Sequence, residues 1–452
     1  MAPSIPTHVP PDRKVLDLVG VGFGPSNLAL AIALAERGNP LSAAFVERQE
    51  RFGWHRGMLL DDATMRISFL KDLVTLRDPT SPFTFLAYLH ERGRLVDFIN
   101  YGSVYPTRLE FHDYLEWAAG RCGAAVDYGT EILGIHPVRS DAAGPVDLLE
   151  IVGRRCGITW RRHTRNVVLA TGLTAHLPPG VQAGPRIWHN RDLLLRVPEL
   201  DGTDPTRFVV VGAGQSAAEA VDYLHRTFPG AEICSVFGRY GYSPADDSSF
   251  ANRIFDPAAV DDYFHAPEPV KEMLLGYHAN TNYSVVDPEL IDGLYRRHYH
   301  EKVAGAPRLR FLNVARVGDV VELPDRVELC VESLIDARHE VLAADVVVYA
   351  TGYRPTDPLN LFAGPLADAV VRDDAGCARI RRDYRVETAP DVIAGIYVQG
   401  ATEHSHGITS TLLSTTAVRV AEILGSLGVP AIGTTPATAG GPAGPPPLAP
   451  TG

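Results

Sequence analysis

The segment Val15–Asn27, VLDLVGVGFGPSN, decides the fold. Its apolar run, Val15–Val21, leads into the turn at Gly20-x-Gly22 and then into LALAIALAERG, which reads as a helix. A second apolar run, Ala43–Val46, follows and closes on Glu47. Strand, glycine turn, helix and strand make a β-α-β unit. Small residues at such a turn let the backbone approach a pyrophosphate, whose charge the helix N-terminus favours. Pro25 holds the third glycine position of the GxGxxG pattern, and Gly24 lies one residue early. Proline is tolerated in a first helical turn, where its missing N–H has no helical partner to lose. Glu47, 25 residues after Gly22, is placed to accept hydrogen bonds from an adenosine ribose. Taken alone, this motif is also compatible with a tight strand–helix turn that binds nothing.

The same pattern recurs about 190 residues later. Arg207–Val211 leads through Gly212-x-Gly214-Gln215-Ser216-Ala217 into AAEAVDYLHRTF and then the apolar run ending at Phe237. No carboxylate closes this unit; Gly238-Arg239 stands there instead. A carboxylate suits a free ribose 2′-hydroxyl, whereas arginine suits a 2′-phosphate, so Arg239 points to NADPH over NADH, with a solvated surface arginine as the alternative. Two further apolar runs, Asn166–Ala170 and Asp345–Ala350, each end in Ala-Thr-Gly. They are expected to carry the chain out of a flavin domain and back into it. The fold class is therefore α/β with two Rossmann-like dinucleotide domains, the NADPH domain inserted in the FAD domain. The expected boundaries are 15–175 and 345–430 for FAD, and 205–340 for NADPH, with substrate-binding loops at about 245–300. The Pro-rich residues 1–14 and the Thr/Ala/Gly/Pro-rich residues 434–452 are expected to be disordered tails.

Composition narrows the function. With 42 Lys+Arg against 54 Asp+Glu, the formal charge of −12 argues against a nucleic-acid or anionic-membrane partner. No run of about 18 uncharged apolar residues is long enough to span a membrane, and no signal-peptide core is visible, so a soluble cytoplasmic protein is expected. The five cysteines, at 122, 156, 234, 330 and 377, lack CxxC-type and metal-ligand spacing. Disulfide reduction is thereby removed, and electrons passed from a nicotinamide to a flavin must leave by another route, to dioxygen or a second protein. Glu403, His404 and His406 lack an identifiable distant ligand, so no metal is expected.

Longer blocks carry a resemblance. Trp54-His55-Arg56-Gly57-Met58, Met65–Leu73, Thr75–Pro79 and Phe83–Leu86 are followed by Phe250–Pro257, Asn280–Asp287, Ala350–Tyr353 and Thr402–Gly407. In order, over about residues 15–425, they resemble the microbial N-hydroxylating flavin monooxygenases that act on L-ornithine (N5) or L-lysine (N6) in siderophore and related biosynthesis. The TLRDP and NTNYSVVD wording is closer to the ornithine branch.

The resemblance implies FAD and NADPH as cofactors, with a C4a-hydroperoxyflavin attacked by the substrate's terminal amine. The expected product is N5-hydroxyornithine, with an amino-acid substrate and O2 as small-molecule partners. It implies that Lys71 holds the substrate carboxylate, that Asn252 and Asn282 bind the α-amino/carboxylate end and position the amine, and that Ser414, after a helix start at Thr411–Leu413, is a further contact. An ion pair of Lys71 with Asp72 or Asp78 is the alternative for that residue. FAD contacts are expected at Gly20, Gly22, Gly24, Pro25, Glu47, Gln49, Trp54, His55, Arg66 and Leu413. NADPH contacts are expected at Arg108, Gly212, Gly214, Gln215, Ser216 and Arg239. For Arg108 the alternative is a surface residue at a helix start. Arg66 departs from the family, which generally has glutamine there. Relatives are often tetramers, so a homo-tetramer is the candidate assembly. Hydroxylation of lysine or another amine, and a flavin reductase or oxidase, are the competing functions.

Overall fold

The computed structural model describes residues 14–430. The expected tails, 1–14 (Lys14 excepted) and 434–452, lie outside the described residues.

Both glycine segments form the expected units. Leu16–Val21 pairs in parallel with Ala43–Val46 across the helix Pro25–Ala35. Arg207–Val211 pairs in parallel with Glu232–Phe237 across the helix Gln215–Thr227. The first unit belongs to a seven-stranded sheet. Its long strand Ile158–Leu169 has two roles. The end from Thr164 to Leu169 runs parallel to Leu16–Val21, and Asn166–Leu169 also pairs in parallel with Gly395–Val398; the beginning pairs antiparallel with Leu148–Arg155.

The second unit belongs to a five-stranded parallel sheet ordered Leu309–Asn313, Glu232–Phe237, Arg207–Val211, Val346–Tyr349, Ile187–His189. This corrects the expected boundaries. Val346–Tyr349 does not return to the first sheet, because its backbone pairs with Phe208–Val211 on one side and Ile187–His189 on the other. The inserted lobe thus takes in both of these strands, beyond 205–340, and the chain re-enters the first sheet at Gly395–Val398. Crossing between the sheets runs through an antiparallel ribbon, Leu173–Ala175 against Tyr353–Pro355.

Period-two burial explains both layers. In the first sheet, Leu18 and Val168 pack on one face with Leu28–Leu34 of the first helix, and Val19, Val167 and Leu169 pack on the other. In the second, Phe208, Val210 and Val348 face one core while Val209, Val347 and Tyr349 face another. The helix Pro25–Ala35 is buried from Asn27 to Leu34, the mark of a helix enclosed by protein. The region 245–300 is largely helical rather than looped: short turns at Ala251–Phe255 and Ala279–Thr281 flank the helices Pro257–His265 and Glu268–His278, and Pro288–Ala304 follows.

Candidate active site

The two cradles are built alike. Gly22 has φ +84°, and a Cβ on it would stand 2.3 Å from the Ala170 carbonyl oxygen; Gly212 has φ +145°, with the Ala350 oxygen at 2.4 Å. The twin Ala-Thr-Gly segments are therefore the floors of two different cradles. Ala170 donates its N–H to Val21, and Ala350 donates to Val211, each at 2.8 Å. Neither glycine can be replaced without moving backbone.

Gly24 and Gly214 are the N-cap residues of the two helices, and no side chain caps either end. A Cβ on Gly24 would meet nothing within 4 Å, and one on Gly214 would meet only the Ser284 Cα, at 3.5 Å. Open space before uncapped first-turn amides fits the phosphates of a dinucleotide. Pro25 starts the first helix, as the sequence implies. Glu47 is buried and accepts from the Phe23 N–H at 2.8 Å and the Gln49 N–H at 2.9 Å, which fixes its carboxylate at the end of the second strand. Gln49 is exposed and donates to the Gly53 carbonyl at 3.1 Å.

Trp54 packs at the edge of the first core beside His55, with ring centroids 4.5 Å apart. His55 is held at φ +50°; protein crowded around the ring and the Arg108 charge push its pKa down. The Leu413 side chain packs against the same core.

Of the expected substrate residues, Lys71 is set against the turn that carries Asn252. Lys71 ends a short turn whose first residues are capped by the Ser68 hydroxyl. Its Nζ lies 5.8 Å from the centroid of the Phe255 ring, in the turn that also carries Asn252. Partial burial lowers the Lys71 pKa, with Asp256 opposing. The alternative ion pair is not formed. Among the described residues no carboxylate lies within 4 Å of Lys71. Asp72 is buried and satisfied instead by the N–H groups of Val74, Thr75 and Phe85 and by the Thr75 hydroxyl.

Asn252 donates its amide to the Asp247 carbonyl at 2.7 Å. Asn282 ends the turn Ala279–Thr281, and its neighbour Tyr283 donates to Glu403. Ser414 is buried, but it lies between the turn Ile408–Thr411 and the helix Thr416–Ser426. Thr411–Leu413 is thus the end of a short 3-10 turn and not a helix start.

The arginines expected to meet the coenzymes have the following surroundings. Arg239 is exposed and donates to the Ser284 carbonyl at 2.8 Å and to Ser243 Oγ at 3.2 Å. Gln215 and Ser216 open the second helix. Arg108 starts the helix Arg108–Arg121, yet it is no surface residue: its guanidinium forks onto Glu219 at 3.0 and 2.8 Å and reaches the Met58 carbonyl at 2.8 Å. Arg66 pairs with Asp287 and lies 3.9 Å from Asp247. His404 and His406 each place a ring nitrogen by a backbone carbonyl, of Ala378 and Arg382 respectively.

Several supporting residues escape sequence reading. Asn27 donates to the Gly22 carbonyl at 2.7 Å and receives Gln399 at 3.1 Å, bracing the first cradle. Arg419 is buried and donates to the Ser410 carbonyl at 2.5 Å and to Thr416 Oγ1 at 2.9 Å, fixing the segment before Ser414. An isolated Asn or Arg inside a helical pattern carries no motif, and only the fold reveals the partner.

Two nucleotide cradles, each in a parallel β-α-β unit, define a two-dinucleotide enzyme of the flavoprotein type. The chain belongs to the L-lysine 6-monooxygenase/L-ornithine 5-monooxygenase family, whose model matches residues 14–355. It is 43% identical over 408 residues to an L-ornithine N(5)-monooxygenase from Burkholderia cepacia, covering 87% of this chain and 90% of that protein. Among solved structures it is similar to the ornithine N-hydroxylase of Kutzneria sp. 744, in a complex with reduced FAD, NADP+ and L-ornithine. That match has 46% identity and a TM-score of 0.89, covering 92% of this chain and 99% of that one. It is also similar to the ornithine hydroxylase of Pseudomonas aeruginosa, at 39% identity and TM-score 0.85, with coverage of 92% and 99%. Among the described residues no helix is long and apolar enough to cross a membrane.

Proposed function

We propose that this chain is an FAD- and NADPH-dependent monooxygenase that hydroxylates the side-chain amine of L-ornithine with O2, giving N5-hydroxyornithine. The observation that carries this reading is Lys71: an ammonium with no carboxylate within 4 Å among the described residues, set against the turn that bears Asn252. A half-buried cation without a counter-ion is a ready partner for a substrate carboxylate. The 43% and 46% identities to ornithine enzymes support ornithine over its longer homologue.

FAD would lie over Gly22 and Gly24 with Glu47 at its ribose, and NADPH over Gly212 and Gly214 with Arg239 at its 2′-phosphate. When bound, this pair supplies reducing equivalents and activates dioxygen. The protein's part is to bind, orient and keep water out. Lys71 anchors the carboxylate, Asn252 and Asn282 hold the amino-acid end and aim the amine, and Ser414 contributes a further hydroxyl contact. The amine must be neutral to react. A free alkylammonium has a pKa of about 10.4, and a pocket that excludes water lowers it by penalising the cation. We further propose a cytoplasmic homo-tetramer, which mass photometry tests.

Mass-spectrometric product analysis with ornithine, lysine and a diamine, alongside NADPH consumption, tests the reading. One methylene is worth only ~1–3 kcal/mol in a pocket, so a minor lysine product is compatible. Release of H2O2 with no hydroxylamine from ornithine overturns it.

A further inference from the structure

Among the cation–carboxylate pairs that cross from the first lobe to the inserted one, two converge on a single side chain of the second cradle. Arg108 forks onto Glu219, and Arg66 pairs with Asp287. Gln215, the first residue of the cradle helix, donates its amide to Glu219 Oε1 at 3.0 Å and accepts the Asp287 N–H at 2.8 Å. Asp287 also caps the helix Pro288–Ala304 by accepting from the Glu289 N–H at 2.9 Å. The Glu219 side chain is 5% exposed and that of Arg108 13%, so this pair is shielded from salt, while the outer pair is more open at 33% and 21%.

We infer that Glu219 and Asp287 are positioning residues that fix the inserted lobe against the first lobe, with Gln215 coupling the two pairs to the cradle. The lobes are also joined by Asp62–Arg226, by Arg382–Asp261 and by the burial of Met58, Leu60 and Ala63 in the core of the inserted lobe, so these two pairs set the fine placement of the cradle. Two pairs, tied through one amide, resist rotation as well as separation. The inference rests on the coenzyme reading above, because the distance that these residues set is that between the two cradles. Hydride transfer is steep in distance, and a misplacement of about 1 Å costs on the order of a hundredfold in rate.

The test uses the FAD-loaded full chain and the variants Glu219→Gln, Asp287→Asn and the double variant. Glutamine keeps length and asparagine keeps the helix cap, so both are expected to fold. Two readouts are made: hydrogen exchange without NADPH over 108–121, 215–227 and 288–304, and anaerobic flavin reduction alongside the Kd for NADP+. Each single variant is expected to raise exchange in all three segments and to slow reduction about tenfold, with the Kd changed less than threefold. The double variant is expected to fall short of the product of the singles, because the pairs share Gln215. Exchange confined to the mutated helix, or multiplicative effects, would overturn the inference. If the unaltered chain is not reduced by NADPH, the coenzyme reading fails, while hydrogen exchange still decides whether the lobes are clamped.

Discussion

The Lys71 ammonium lies 5.8 Å from the centre of the Phe255 ring, although the two residues belong to different lobes of the chain. This contact sets the first lobe against the helix-rich excursion of the second at the proposed substrate site. It also leaves the cation's hydrogen-bonding directions open, since an aromatic face engages charge without taking an N–H donor in a fixed line.

Removing that ammonium should separate binding from coenzyme turnover. Lys71→Ala is expected to raise the KM for ornithine about ten- to a hundredfold, the worth of a hydrogen bond to a charged group, with NADPH oxidation largely retained. Steady-state kinetics with ornithine varied at saturating NADPH check this; an unchanged KM removes Lys71 from the carboxylate site.

The open space at Gly24 gives a test of the first cradle that leaves the fold alone. A Cβ there meets nothing within 4 Å, whereas one on Gly22 would collide with the Ala170 carbonyl. Gly24→Val should purify as a folded protein carrying at least about tenfold less flavin, because the side chain fills the room a phosphate needs. Gly22→Ala should lower the melting temperature as well. Full flavin occupancy in Gly24→Val would place the cofactor elsewhere.

Arg239 is exposed and anchored to the Ser284 carbonyl, which holds its charge at the end of the second strand. Arg239→Ala should weaken NADPH about ten- to a hundredfold and NADH far less, as expected for loss of a phosphate contact. Equal losses for the two coenzymes would show that Arg239 does not read the 2′-phosphate.

His406 supplies a pH dependence. It is buried, stacked on Tyr384 with centroids 4.1 Å apart, and burial lowers its pKa from the ordinary 6.5 to about 3. The unfolded chain therefore takes up a proton below pH 6.5 that the folded chain resists, so stability falls as pH drops from 6.5 toward 3. His406→Gln should flatten that fall. Thermal melts between pH 7.5 and 4.5 check it, and parallel slopes for the two proteins would exclude His406 as the source.

Both β-α-β units were legible because their chemistry is local: an apolar run, a glycine forced to positive φ against a neighbouring strand, and a helix with no side-chain cap. The sheet membership of Val346–Tyr349 was not, because a four-residue apolar strand buried on both faces reads identically in either sheet. Only its register against Val209 and Ile187 decides. Lys71, Asn252 and Asn282 stood out through the wording of the blocks around them, and the structure gathers their segments. Arg108 and Arg66 stood out too, but their partners Glu219 and Asp287 lie 111 and 221 residues away, and no spacing rule links charges so distant. The helix start expected at Thr411–Leu413 falls instead at Thr416, since TSTLLSTT has no residue that marks where one turn stops and the next helix begins.

The ribbon that joins the lobes brings the two ends of the inserted piece together. His176 donates its N–H to Gly352 at 3.0 Å, so the inserted piece starts and finishes at the same spot. Ala175 and Tyr353 face each other across the ladder, close enough for a two-residue hairpin to bridge them. The second lobe thus hangs from one two-stranded stem, and strain or motion at that stem is felt by both of its ends at once.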